Sequence, residues 1–316
     1  MSNGVIVVSS GMQSLIQDFG RFGYLASGIT RGGPVDEHAF LWANRLLGNH
    51  FNCAQIECLL GGLEVEFSQP TAFVVTGAEV PLTLDKQQLN GWQTYTAEAG
   101  QRLKIGFASA GVRSYLAVAG GFQVAPKLGS CATVTREQLG GLDGMGKPLQ
   151  DGDEIACKAS SIAVRRRIGW PYKPNYSRAA TVGVVPAFQF DDFSEEAQAC
   201  FEQGVYTASQ QSDRMGVRLQ GPAVAYEHGG LISEGISIGA IQIPPDGQPI
   251  IMLNDRQTLG GYPKLGVVSA IDLGKVAQTR PDQDIRFTFI DQQTAQQQAR
   301  RFYRFFGVKP MAGGRG

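Results

Sequence analysis

Residues 249–264 read Pro-Ile-Ile-Met-Leu-Asn-Asp-Arg-Gln-Thr-Leu-Gly-Gly-Tyr-Pro-Lys, an apolar run followed by a polar loop with two adjacent glycines. The apolar part, 249–253, has the length of a buried strand, and the Gly-Gly pair that follows is typical of a turn. Polar groups on a loop held by rigid strands commonly bind a ligand. We therefore interpret 254–264 as a candidate site, with a tight turn capped by a surface ion pair as the alternative.

The same pattern of short strand and turn recurs along the chain. Runs in which apolar and polar residues alternate, such as 63–67 and 102–105, are separated by Gly, Pro, Asn or Asp. Many short strands of this kind predict a barrel or a sandwich, and hence a mainly β fold.

A few helices are also predicted. The segment 35–47 follows Pro34, a residue favoured in the first turn of a helix. Ser194 is a suitable N-cap for a second helix at 195–203. A third helix is predicted at 294–306, where phenylalanines repeat every three to four residues and are expected to face the core.

Composition excludes several classes of function. The 28 basic residues balance the 28 acidic ones, so no basic surface for nucleic acid or membranes is expected. No apolar stretch reaches the roughly 18 residues of a membrane span, and no secretory signal is recognised at the N-terminus. The 5 cysteines and 3 histidines show no zinc-binding spacing. We expect a cytoplasmic protein with reduced thiols and no metal site.

The chain is long enough for two domains. Between 158 and 178 it becomes basic, contains two prolines and loses its alternation. We predict a first β-barrel lobe at 1–165, a linker at 166–178 and a second β-barrel lobe at 179–316.

Three residues of the opening stretch are predicted to be catalytic. Arg256 and Lys264 suit phosphate or carboxylate, because a guanidinium is a planar fork of donors and an ammonium is a compact cation. Asp255 is a candidate base, metal ligand or orienter of an arginine. Nearby, Tyr262 is a candidate for ring stacking or hydrogen bonding.

Two further motifs belong to the predicted second lobe. Asp213 and Arg214, in Gln-Ser-Asp-Arg-Met-Gly, are predicted to bind the substrate. The alternative is an ion pair between the two residues within a turn, which contributes little to stability when it is exposed. Glu234 in Ser-Glu-Gly is a candidate acid or base of the substrate-binding site. The alternative is that it only caps the predicted strand that follows it.

A first-lobe pocket is predicted around Asp18, Arg21 and Asp36. The Gly32-Gly33 pair leads into the first predicted helix, and amides at a helix N-terminus bind anions. In the alternative interpretation the glycines only turn the chain, and Asp36 favours the positive end of the helix.

Six motifs, in this order, resemble one known family over nearly the whole chain, from about residue 5 to residue 306: Ile-Gln-Asp-Phe-Gly-Arg at 16–21, Gly-Gly-Pro-Val-Asp at 32–36, Arg-Ser-Tyr-Leu-Ala-Val-Ala-Gly-Gly at 113–121, Gln-Ser-Asp-Arg-Met-Gly at 211–216, Ser-Glu-Gly-Ile at 233–236 and Asp-Arg-Gln-Thr-Leu-Gly-Gly-Tyr-Pro at 255–263. The family is that of biotin-dependent carboxyltransferase-type proteins, also described as allophanate hydrolase subunit 2 or KipA-like.

This resemblance implies two cyclophilin-like β-barrel lobes and a KipI-like partner protein. Stand-alone bacterial members resemble the C subunit of 5-oxoprolinase, an enzyme that uses ATP and combines A, B and C subunits to open 5-oxo-L-proline to glutamate. A similar module of urea carboxylase transfers a carboxyl group from carboxybiotin to urea. The KipA name implies a third function, that of a non-catalytic antagonist of a kinase inhibitor.

We expect the first of these functions, with the chain active only in a complex. ATP is then implied by the resemblance, since the sequence contains no Walker A loop. The chain also lacks a biotin attachment sequence, so any biotin would come from a partner protein. In the expected roles, Arg214 with Asp213 holds the substrate carboxylate, and Gln257 with Tyr262 orients the lactam ring.

Overall fold

A computed structural model describes residues 3–227, 231–281 and 283–308. The chain forms two compact units. The first contains the residues up to Ser177 apart from Gly23–Arg31, and the second contains Gly23–Arg31 together with the residues from Arg178 onward. The sequence did not predict that Gly23–Arg31 would join the second unit.

The first unit is built from two β-sheets. Its strands in the described residues are β1 Gly4–Ser10, β2 Gln13–Gln17, β3 Gln55–Leu59, β4 Leu63–Phe67, β5 Thr71–Glu79, β6 Leu82–Leu84, β7 Gln87–Leu89, β8 Thr94–Ala97, β9 Arg102–Ile105, β10 Ala110–Val118 and β11 Glu154–Ala156. One sheet has the order β11-β1-β4-β9-β6-β7, and the other has the order β2-β3-β10-β5-β8.

The two sheets share one hydrophobic core. Val65 and Leu103 of the first sheet are fully buried in the same cluster as Ile56 and Leu116 of the second. In the described residues the predicted first β-barrel lobe thus consists of two sheets around one core. A barrel and a pair of facing sheets both bury one side of every strand, so the alternation of apolar residues does not distinguish them.

The second unit contains the predicted closed barrel. Its described strands are β12 Ala180–Pro186, β13 Tyr206–Ala208, β14 Gly216–Gln220, β15 Glu234–Gly235, β16 Ala240–Gln242, β17 Ile250–Met252, β18 Leu259–Gly260, β19 Lys264–Val268 and β20 Asp284–Phe289. Seven of these described strands close in the order β12-β19-β16-β17-β14-β13-β20, and β15 pairs separately with β18. The prediction of a mainly β fold is confirmed.

The described α-helices are α1 Glu37–Leu47, α2 Glu195–Gln203, α3 Leu273–Gln278 and α4 Gln292–Phe305. The prediction of α2 is confirmed, and Ser194 caps it by accepting a hydrogen bond from the backbone N–H of Ala197. None of the helices in the described residues has the length and hydropathy needed to span a bilayer.

Helix α4 differs from the expectation that its aromatic residues face the core. None of its described residues is buried, and Phe305 is exposed. Phe302, Phe305 and Phe306 pack edge-on against one another, with ring centroids 5.0 Å and 4.9 Å apart. The spacing of aromatic residues identifies a helix face, but it does not determine what covers that face.

The hydrogen bond that caps α2 generates a stability prediction. Ser194→Ala should lower the free energy of unfolding by about 1 kcal/mol, because the N–H of Ala197 loses its acceptor. Urea denaturation followed by circular dichroism measures the change. Ser194→Asn should restore most of the loss, and Ser27→Ala, a substitution of the same kind at an exposed position that is not the N-cap of a helix, is the control. Equal effects of the two alanine substitutions would contradict the assigned cap.

Candidate functional site

An ion pair between Lys264 and Glu234 lies at the centre of the candidate site. The Lys264 Nζ contacts Glu234 Oε1, and the side-chain amide of Gln189 donates to the same oxygen. The lysine side chain is 9% exposed whereas that of the glutamate is 47% exposed. The hydrogen bonds from Lys264 and Gln189 hold the pKa of Glu234 below its usual value. The site is therefore a buried cation whose counterion reaches the solvent.

Two short strands and one arginine bring the site residues together. In the β15–β18 pair, Glu234 lies opposite Gly260. The guanidinium of Arg256 donates from Nε to the carbonyl of Ile236 at 2.9 Å. The backbone N–H of Ile236 donates to the carbonyl of Thr258, also at 2.9 Å. The Ser-Glu-Gly motif is thus fastened directly to the loop that the sequence analysis selected.

Strand β19 contributes Lys264 through an irregularity in its pairing with β16. Ile241 pairs with Gly266 and Gln242 pairs with Lys264, so that Leu265 has no direct partner in β16. Such bulges redirect side chains next to functional sites. Lys264 is consequently placed opposite Gln242, which is also buried.

Arg214 and Asp255 form a second ion pair, which is almost completely buried. Arg214 donates from Nε and Nη2 to the two carboxylate oxygens of Asp255, at 2.8 Å and 2.9 Å. Asp213 instead accepts hydrogen bonds from the backbone N–H groups of Met215 and Gly216. The expected partnership of Arg214 with Asp213 is therefore replaced by the pairing of Arg214 with Asp255, and Asp213 stabilises a turn.

Arg256 is held by backbone carbonyl groups, those of Ile236 and Leu253. Burial lowers the pKa of Arg256 to about 10, the positive charge of Arg31 contributes to this lowering, and Asp255 opposes the shift. Arg256 remains protonated near neutral pH because this pKa is well above 7. It supplies a buried positive charge and also fixes the position of the backbone after Glu234.

Gln257 and Tyr262 are exposed members of the same loop. Tyr262 lines a cleft of about 390 Å³, together with Leu231 and Ile243 among others. A contact of either side chain with a substrate stays a prediction.

The predicted first-lobe residues Asp18 and Arg21 connect two loops of the first unit. Asp18 accepts hydrogen bonds from the backbone N–H groups of Gly20 and Cys131 and from the hydroxyl of Ser130. Arg21 donates to the carbonyl groups of Lys127, Ser130 and Ala132. These contacts hold the backbone in place, and a pocket that uses these side chains stays a prediction.

Asp36 is the N-cap of α1. It accepts a hydrogen bond from the backbone N–H of Ala39 at 3.0 Å and another from the hydroxyl of Tyr176 at 2.7 Å. Helix α1 begins only after this cap, two residues later than predicted, because the cap residue itself is not helical. The geometry agrees with the alternative interpretation, in which Asp36 stabilises the start of the helix.

Two residues at the centre of the site were missed from the sequence. Gln189 lies three residues after Pro186, in a turn that follows β12, and gave no signal in the sequence. Gln242 did give a signal, since it is an amide within the apolar strand Ala-Ile-Gln-Ile at 240–243. Among the described residues, no group of three or more His, Cys, Asp or Glu side chains is arranged to hold a metal ion.

Comparison with known proteins gives one consistent result. A family described as "Carboxyltransferase domain, subdomain A and B" matches residues 27–289. The C subunit of Haemophilus influenzae 5-oxoprolinase is 37% identical over 284 residues, which are 90% of this chain and 90% of that protein. Urea amidolyase of Lachancea kluyveri is 31% identical over 315 aligned residues, covering 92% of this chain and 17% of the relative.

Solved structures agree with these sequence matches. The crystal structure of Kluyveromyces lactis urea carboxylase superposes with a TM-score of 0.90 at 27% identity. The match covers 98% of this chain but 29% of the urea carboxylase chain. The chain therefore corresponds to one module of that larger protein, whereas it spans nine-tenths of the Haemophilus influenzae relative.

The buried Arg214–Asp255 pair generates a stability prediction. Asp255→Ala should lower the free energy of unfolding by about 3–5 kcal/mol, because it leaves a buried guanidinium without its carboxylate. Arg214→Ala should have a comparable effect. The double variant should lose less unfolding free energy than the two single variants together, since neither charge is then left buried without its partner. Urea denaturation followed by circular dichroism measures all three.

The control for this prediction is Arg102→Ala. Arg102 pairs with Glu66 in an exposed ion pair, so its loss should cost about 1 kcal/mol or less. If Asp255→Ala were no more destabilising than this control, the buried pair would not have the structural role assigned to it.

Proposed function

Because the chain belongs to the family of carboxyltransferase domains with subdomains A and B, we propose that it is the C subunit of an ATP-dependent 5-oxoprolinase. In this proposal it opens 5-oxo-L-proline to L-glutamate in a complex with the A and B subunits, of which the second is the KipI-like partner. The mutual 90% coverage with a relative that carries the name of a 5-oxoprolinase C subunit supports this choice. A cytoplasmic location is part of the proposal and fits five free cysteines.

The Lys264–Glu234 pair carries the proposal. Opening a lactam builds negative charge on the carbonyl oxygen, or on a phosphoryl group attached to it. A cation held in a water-poor site stabilises such charge more strongly than the same cation in water. Lys264 is buried and fixed by Glu234 and Gln189, so it meets this requirement. We assign it to charge stabilisation.

The other predicted residues take supporting roles in this proposal. Arg256 adds a second positive charge and fixes the backbone after Glu234. Both carboxylate oxygens of Asp255 accept from Arg214, which favours a positioning role for Asp255 over that of a base. Gln257 and Tyr262 are exposed and therefore accessible to a substrate.

ATP and water complete the reaction. Hydrolysis of the lactam consumes one water molecule and hydrolysis of ATP consumes another, yielding glutamate, ADP and phosphate. We assign ATP to the assembled complex and not to named residues of this chain. The sequence has no Walker A loop that would cradle the phosphates of ATP.

A second candidate function is carboxyl transfer from carboxybiotin to urea or another amide. The similarity to Kluyveromyces lactis urea carboxylase favours it. Carboxybiotin would come from a separate protein, and Lys264 would again stabilise charge on an amide oxygen. The third candidate is a KipA-like antagonist that sequesters a KipI-like kinase inhibitor without turnover.

One experiment separates these functions. The chain is co-purified with its candidate A and B subunits, and glutamate release from 5-oxoproline is measured with and without ATP. Glutamate that appears only with ATP supports the proposed function. A product that requires carboxybiotin supports the carboxyltransferase, and capture of a kinase inhibitor without any turnover supports the antagonist.

The role of Lys264 leads to a prediction for the assembled complex. Lys264→Met should lower kcat by about 100-fold, because the developing negative charge loses its nearest fixed cation. Glu234 is half exposed, so water can solvate its carboxylate in the variant and the fold should persist. Steady-state turnover of 5-oxoproline, together with a thermal melt, measures both effects.

The matched control is Lys275→Met. Lys275 also pairs with a carboxylate, that of Asp272, but its side chain is 53% exposed and it lies on α3. This substitution should leave turnover unchanged. Equal turnover of the Lys264→Met and Lys275→Met complexes would remove Lys264 from the proposed chemistry.

A further inference from the structure

We propose that Gln242 is a positioning residue that recognises the amide edge of the substrate, in a subsite covered by Gly260. This inference rests on the proposed function and names the part of the substrate that Gln242 would recognise. Its starting point is an unusual group. Gln242 is 2% exposed, and its Nε2 has no hydrogen-bond partner among the described residues.

A buried amide without a partner requires an explanation. Buried polar groups are nearly always paired, because an unpaired one has lost its hydrogen bonds to water without replacement. Gln17 in the first unit, which is also buried, shows the usual situation: its Nε2 donates to the carbonyl of Thr133 at 3.0 Å, and its Oε1 accepts from the backbone N–H of Gly33 at 3.1 Å. Gln242 therefore has an unused donor whose natural partner is a ligand.

The location of Gln242 joins it to the proposed site. It lies directly opposite Lys264 in the β16–β19 pair, where the bulge at Leu265 sets the register. Side chains of directly opposed residues on neighbouring strands are close together. A carbonyl oxygen that binds Gln242 is consequently within the neighbourhood of the Lys264 ammonium.

Gly260 lies against the amide group of Gln242, and because glycine has no side chain the space next to this amide is left unfilled. A Cβ atom at position 260 would lie 3.1 Å from Gln242 Nε2 and 3.3 Å from Gln257 Nε2, and 2.6 Å from Ile236 Cδ1. The cover is the two-residue strand β18, paired only with the two-residue strand β15 among the described strands. Because β18 has only two residues, Gly260 can move away from Gln242 while the hydrogen bond from Arg256 to the carbonyl of Ile236 keeps the segment after Glu234 in place. This movement of Gly260 would expose the buried amide of Gln242 to a substrate, beside the already exposed Gln257.

The chemistry of the amide identifies the class of ligand. A primary carboxamide presents an N–H donor and a C=O acceptor side by side. The complementary group presents C=O and N–H on one edge. The ring of 5-oxoproline forces its amide into this arrangement, and urea has the same edge. Gln242 would thus donate to the carbonyl oxygen and accept from the ring N–H, which orients the carbonyl toward Lys264.

The test uses Gln242→Met in the assembled complex. The KM for 5-oxoproline should rise about tenfold, because a hydrogen bond to the substrate is lost. The melting temperature should stay the same or rise, because an unpaired buried amide has been removed. A merely structural glutamine would give the opposite result, a lower melting temperature with an unchanged KM.

A substrate analogue sharpens the test. N-methyl-5-oxoproline lacks the ring N–H, so the wild-type complex should bind it more weakly than 5-oxoproline, whereas Gln242→Met should lose most of this discrimination. Gln17→Met is the matched control: it removes a buried amide that is paired at both atoms, so it should lower the melting temperature and leave both KM and discrimination unchanged.

The outcomes distinguish the two proposals. Wild-type turnover with ATP supports the proposed function independently of Gln242. If the wild-type complex is active while Gln242→Met keeps its KM and its discrimination, the role of Gln242 is overturned alone. If the wild-type complex releases no glutamate, the proposed function fails and the inference that rests on it fails as well.

Discussion

The site in the second unit depends on the hydrogen bond between the Arg256 guanidinium and the carbonyl of Ile236. This contact fastens the segment that carries Glu234 to the loop that follows Leu253. Without it, the β15–β18 pair would be held by very few backbone hydrogen bonds, which is marginal for an isolated ribbon. The arginine has a structural task and an electrostatic one, and both require its burial.

The distribution of charge around this anchor explains why the arrangement is stable and still reactive. Asp255 offsets the buried charge of Arg214, and Glu234 offsets that of Lys264. The two pairs differ in exposure, since only Glu234 extends into solvent. A half-exposed counterion is easily solvated, so in the proposed function Lys264 would share its charge with a bound substrate at a small cost.

The sequence predicted the fold class and helix α2, because strand alternation and capping are local signals. It did not distinguish the facing sheets of the first unit from a barrel, because both bury alternate residues. The loop at 254–264 was identified by its unusual polarity, but the partners of Asp255 and Arg214 were not. These partners lie 41 positions apart, and such pairing is determined by tertiary structure. Gln242 became informative only when its burial and the unpaired state of its Nε2 donor were known.

The proposed hydrolase and its carboxyltransferase alternative pose the same physical problem to this chain. Lactam opening is an attack on the amide carbonyl, whereas carboxyl transfer uses the neighbouring amide nitrogen as the nucleophile, and both place negative charge on the carbonyl oxygen. A fixed cation beside a carboxamide serves either reaction, because neither group specifies what finally attacks or leaves. The reacting co-substrate, ATP or carboxybiotin, is then the contribution of the partner proteins. In either proposed function, the module would activate the amide and its partners would determine the product.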